Sequence, residues 1–86
     1  MYTFVAINKR AEKEYHYYLQ LRSDIRHKLQ KLQEDPRRAC GAHPLHGRFF
    51  GTWSCWLGSN IRMRYLIDDE KKLIFIMTIG SHAIYG

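Results

Sequence analysis

Residues 61–80, "IRMRYLIDDEKKLIFIMTIG", decide how this chain folds. Two runs of β-forming residues flank the polar stretch Asp68-Asp69-Glu70-Lys71, so Ile61–Ile67 and Leu73–Ile79 read as the arms of an antiparallel hairpin. In the first arm Ile61, Met63, Tyr65 and Ile67 share one face, and Arg62 and Arg64 share the other with Leu66. In the second arm Leu73, Phe75, Met77 and Ile79 alternate with Ile74 and Ile76. Both faces are apolar, which predicts an interior strand. Two guanidiniums on one strand face cannot be buried unpaired, and no carboxylate stands inside that segment. Their face is therefore expected to be open.

Upstream, the hairpin is preceded by a Gly58-Ser59-Asn60 turn and by Leu45–Phe50 and Thr52–Leu57, which read as one bent strand or two short ones broken at Gly51. Nearer the start, Tyr2–Ile7 alternates as a first strand. From Lys9 the period changes: Ala11, Tyr15, Tyr18 and Leu19 form one helical stripe, and Lys9, Arg10, Glu12, Lys13 and Glu14 form a polar side. Ser23 is placed to cap a second helix, in which Ile25, Leu29 and Leu32 repeat the stripe until Asp35-Pro36 ends it. His16 and His27 fall on solvated helix positions. The expected fold is α+β in a single domain over residues 1–86: a strand, a two-helix hairpin, then an antiparallel meander, with the helices on one face of a twisted sheet.

A chain of 86 residues buries only about 60% of the surface its unfolded form exposes, so chemistry is expected on an open face rather than in a deep cavity. No stretch approaches the ~18 apolar residues of a membrane span, and "MYTFVAINKR" lacks the order of a signal peptide. The expectation is a cytoplasmic protein with no membrane contact. Cys40 and Cys55 are too few for a disulfide framework and fit reduced thiols.

Lys and Arg outnumber Asp and Glu by 14 to 8. Residues 36–67 hold Arg37, Arg38, Arg48, Arg62 and Arg64, with His43 and His46 and no carboxylate. Phe49, Phe50, Trp53, Trp56 and Tyr65 interleave with these cations, the mixture expected where phosphates are neutralised and bases stack. A basic domain with its aromatics in the core would show the same composition. The last strand runs beside the two arginines and delivers His82 and Tyr85 near its end. A cation for phosphate, a histidine that titrates near neutrality and an aromatic ring are the components of ribonuclease chemistry. In its metal-free form the substrate's 2′-hydroxyl attacks the adjacent phosphate. The planar fork of Arg62 suits the charge that develops there. A separate reading is a metal site built from Cys40, His43 and His46 with Cys55 or His82, although C-x₂-H-x₂-H is not a usual zinc spacing.

Pro44-Leu45-His46-Gly47, Gly51-Thr52-Trp53-Ser54, Ile61-Arg62-Met63-Arg64-Tyr65 and the terminal Gly80-Ser81-His82 with an aromatic just beyond resemble the RelE/ParE superfamily of toxin–antitoxin toxins. "NKRAEKEYHYY" and "DPRR" extend the resemblance over nearly the whole chain. In the RelE, YoeB and YafQ branches it implies a ribosome-dependent mRNA endonuclease without a cofactor, held silent by a cognate antitoxin. DNA would be met only indirectly, through the antitoxin complex. The resemblance places Arg62 on the phosphate-contacting arginine, His82 on the general acid, Tyr85 on the substrate-orienting aromatic and His43 on the proposed general base. It leaves Arg48, Arg64, Trp53, His46, Arg37 and Arg38 as candidate RNA contacts. Trp53 and Cys55 stand where the RelE branch carries lysines. The ParE branch shares the fold and targets DNA gyrase instead, which is the competing expectation.

Overall fold

The computed structural model describes residues 1–81. His82 and Tyr85 lie outside the described residues. The elements are β1 (Thr3–Ala6), α1 (Lys9–Leu21), α2 (Ser23–Glu34), β2 (His43–Pro44), β3 (Trp53–Trp56), β4 (Arg62–Asp68) and β5 (Leu73–Gly80), with 3₁₀ turns at Ala39–Gly41 and Gly47–Phe49. The described strands form one five-stranded sheet in the order β1-β5-β4-β3-β2. β2 to β5 are successively antiparallel, and β1 joins β5 in parallel, Thr3 opposite Leu73. The α+β fold is as the sequence predicts, and β5 is interior.

Ala11 of α1 and Ile25, Leu29 and Leu32 of α2 are buried against Cys55, Met63, Tyr65, Ile74, Ile76 and Ile79 of the sheet. Both helical stripes therefore cover one sheet face, as amphipathic helices do when they share a core. The side chain of Asn8 caps α1 by accepting from the Ala11 N–H at 2.9 Å. α2 starts differently from expectation. Ser23 is its first helical residue, and the N-cap is the extended Arg22, whose side chain makes no cap bond. The Arg22 guanidinium instead donates to Asp24 at 3.1 and 2.6 Å and to Ser59 Oγ at 3.0 Å, tying the helical hairpin to the β3–β4 turn.

Leu45–Phe50 is not a strand. Gly47 (φ +67°) and Gly51 (φ +93°) take left-handed backbone that breaks a ladder, and between them the chain forms the 3₁₀ turn. Thr52 Oγ1 closes it by donating to Phe49 O at 2.6 Å.

β5 also departs from simple alternation. Arg64 pairs with Thr78 but Tyr65 pairs with Ile76, so Met77 is an extra residue, a β-bulge. The bulge moves Ile79 to the helix-covered face opposite Met63, whereas alternation from Leu73 predicts the other side. Glu14 of α1 accepts from Ile79 N at 3.0 Å and from Thr78 Oγ1 at 3.1 Å, satisfying backbone just past the end of β1.

Candidate functional site

The face away from the helices is built in rows, because residues paired across strands point the same way. One row runs His43, Ser54, Arg64, Thr78, and the next runs Trp56, Arg62, Gly80. His43 thus lies two strands from Arg64, about 10 Å by the usual inter-strand spacing. Gly80 sits opposite Arg62 as the last residue of β5.

The arginine face is half covered. The Arg62 guanidinium carbon is 5.6 Å from the centroid of a Trp56 ring, and that of Arg64 is 4.5 Å from the centroid of Phe49. Arg48 approaches the same Phe49 ring at 5.0 Å. Nη1 of Arg62 and Nε of Arg64 are buried and have no hydrogen-bond partner among the described residues. The expectation of a fully open face is corrected on this point. Aromatic faces shelter both cations and offset part of their desolvation through the ring quadrupole, leaving N–H groups that an anion can satisfy.

His43 is exposed, and its Nδ1 lies 3.0 Å from Gly41 O. A carbonyl only accepts, so Nδ1 carries a proton, which in the neutral tautomer leaves the lone pair on Nε2, the form a general base requires. Arg38, His46 and Arg48 are exposed around the loop leading into the sheet.

Two of the predicted RNA contacts are placed elsewhere. Trp53 pairs with Tyr65, so it lies on the helix-covered face and packs at the edge of the core. Arg37 stacks over that indole at 5.7 Å and donates two bonds to Asp69, at 2.9 and 2.8 Å. Trp56, half exposed, and Phe49 are the aromatics beside the site arginines; the sequence shows both among the interleaved aromatics but puts Trp53 instead among the candidate contacts. The signal for Trp56 was available: the Gly58-Ser59-Asn60 turn fixes the register, which sets position 56 opposite 62.

Among the described residues, Cys40, His43, His46 and Cys55 of the alternative metal set are not gathered. Cys40 Sγ donates to Lys28 O at 3.2 Å, Cys55 is buried in the core, and burial pushes both thiols up, away from the thiolate that binds metal. Among the described residues, no three His, Cys, Asp or Glu side chains come together as a ligand set. No helix among them is long and apolar enough to cross a membrane.

Two helices packed on one face of a mixed five-stranded sheet are the fold of RelE/YoeB/YafQ-type toxins from toxin–antitoxin systems. The chain superposes on a chain of the RelBE2 toxin–antitoxin complex from Mycobacterium tuberculosis with a TM-score of 0.73 at 24% identity, covering 93% of this chain and 96% of that one. The YoeB/ParE toxin from Agrobacterium tumefaciens gives 0.76 at 16% identity, over 95% and 99% of the two chains. The YoeB–YefM complex from Staphylococcus aureus gives 0.74 at 19%, over 95% and 98%. No protein-family profile and no curated protein matches the chain.

Proposed function

We propose that this chain is the toxin of a toxin–antitoxin module and acts as an endoribonuclease on mRNA at the ribosome. The carrying observation is the Arg62 guanidinium, half-buried against Trp56 with an Nη1 that has no partner among the described residues, opposite the residue from which the chain continues to His82. In the proposed step His43 Nε2 takes the proton of the substrate's 2′-hydroxyl, and the 2′-oxygen attacks the adjacent phosphorus. The bond to the 5′-oxygen breaks as His82 protonates that oxygen, giving a 2′,3′-cyclic phosphate and a 5′-hydroxyl end. Arg62 holds the charge that grows on the phosphate oxygens. Tyr85 is assigned to orienting the substrate, and Arg48 and Arg64 to the RNA path. A cognate antitoxin is the proposed partner, as in the toxin–antitoxin complexes that share the fold.

Mapping RNA 5′ ends shortly after induction tests the reading. Cuts inside translated codons are expected with the wild type. Arg62→Ala should lower the cleavage rate about 10²–10³-fold, the loss of one oxyanion-stabilising donor, and His82→Ala should lower it as well. Intact mRNA accompanied by a DNA-damage response would replace this reading with gyrase inhibition.

A further inference from the structure

β1 ends at Ala6, whereas β5 runs on to Gly80, so among the described residues no strand flanks the last residues of β5 on that side. An open cleft fills the gap, lined by Ile7, Asn8, Arg10, Arg64, Met77 and Thr78. Two arginines reach it from different elements. Arg64 comes from the interior strand β4, its guanidinium held against Phe49 and its Nε lacking a partner among the described residues. Arg10 comes from the first turn of α1, with its side chain 83% exposed.

The carboxylate in contact with Arg10 is Glu14, whose Oε2 lies 3.5 Å from the arginine Nε. Its other oxygen is already occupied by Ile79 N and Thr78 Oγ1. An i, i+4 pair at this distance, with the arginine exposed, contributes little and leaves the arginine free to turn toward a stronger anion. The start of α1 at Asn8 adds the positive end of a helix dipole to the same cleft.

Arg62 and Arg64 are two residues apart on one strand face, roughly 6.6 Å by strand rise, a spacing that neighbouring phosphates of an extended single strand can meet. We infer that the Arg10–Arg64 cleft is a second phosphate subsite, holding the backbone of single-stranded RNA one step from the phosphate gripped by Arg62. The inference rests on the reading of the chain as an mRNA endonuclease. It assigns Arg10 and Arg64 to positioning the strand.

The test uses the full chain and a 2′-O-methylated RNA 12-mer, which binds but cannot be cut, with affinity measured by fluorescence anisotropy across a salt series. Each phosphate contact on a single strand contributes about 0.7 to the slope of log affinity against log salt. Arg10→Gln and Arg64→Gln should each flatten the slope by about that amount and weaken binding several-fold, while Arg64→Lys keeps the slope and Lys71→Gln, on the β4–β5 turn, changes nothing. Arg10 is surface-exposed, so its variant reports even if Arg64→Gln folds poorly. Slopes unchanged in Arg10→Gln and Arg64→Gln alike, with a flattened slope in Arg62→Gln, overturn the subsite and leave the endonuclease reading intact. Absence of salt-dependent binding by the wild type overturns both.

Discussion

Trp56 and Arg62 stand directly opposite one another on β3 and β4, with the guanidinium carbon 5.6 Å from the centroid of an indole ring. The indole is pinned on its edge, where Nε1 donates to Ser59 O at 2.7 Å, and the side chain remains half exposed. In the proposed function a ring fixed this way is a stacking platform beside the cation assigned to the phosphate. Trp56→Ala is expected to cost about 1–3 kcal/mol in affinity for single-stranded RNA, the usual contribution of a base–aromatic stack. Trp53→Ala, on the other face, is expected to lower stability and leave affinity nearly unchanged. Equal affinity losses in the two variants, measured by anisotropy on folded protein, would contradict the assignment of faces.

Tyr65 is fully buried, and its hydroxyl donates to Pro36 O at 2.6 Å, fastening the end of the helical hairpin to the middle of the sheet. Tyr65→Phe keeps the ring and strips a buried carbonyl of that donor. A loss of about 1–3 kcal/mol in urea unfolding is expected, with little change in the denaturant slope. Wild-type stability in the variant would show that the carbonyl is satisfied in another way.

Gly58 adopts φ +98° in the β3–β4 turn, and a Cβ there would lie 2.8 Å from Arg22 Nη2. Gly58→Ala combines backbone strain with displacement of Arg22 from Ser59, so a destabilisation exceeding ~1 kcal/mol is expected. Calorimetry of the single variant and of Gly58→Ala with Arg22→Ala separates the two effects. The strain persists in the double variant, and the clash does not.

Asp69 accepts both arms of Arg37 and the Tyr2 hydroxyl, at 2.9, 2.8 and 2.5 Å. The Arg37 fork first, and the Tyr2 hydroxyl after it, hold the Asp69 carboxyl well below the usual carboxylate range. A carboxyl whose pKa is depressed by folding adds stability that is fully present above its unfolded value of about 3.9 and is lost as pH falls through the folded value. Asp69→Asn should therefore lower the Tm at neutral pH, and its gap from wild type should narrow as pH is lowered from about 4 toward 2. A gap that stays constant over that range would remove Asp69 from the pH dependence of stability.

The helical stripes and the arginine face of β4 were legible because each has a strong apolar period on one side and polar residues on the other. Ile61, Met63, Tyr65 and Ile67 leave no ambiguity about where Arg62 and Arg64 point. β3 reads "WSCW", with a tryptophan on each face, so periodicity alone could not say which one meets the arginines. Only the turn register does. The stretch Leu45–Phe50 carries β-forming side chains, but the left-handed glycines at 47 and 51 override that preference and bring Phe49 between Arg48 and Arg64. The alternation Leu73-Phe75-Met77-Ile79 is regular on paper and broken in the sheet by a single inserted residue. His43 is on the arginine face, while the proposed partnership of Arg62 with His82 and Tyr85 lies outside the described residues.

That insertion at Met77 works as a phase shifter for everything that follows it in the strand. Were Met77 paired regularly opposite Arg64, Ile79 would swing out opposite Arg62 and Gly80 would turn to the side where the helices pack, whereas deleting Met77 would remove the kink and leave both where they are. Thr78, Ile79 and Gly80 thus take their bearing from one residue with no partner in the β4–β5 register, and a comparison of this segment with other sequences has to be counted from the kink rather than from the strand's start.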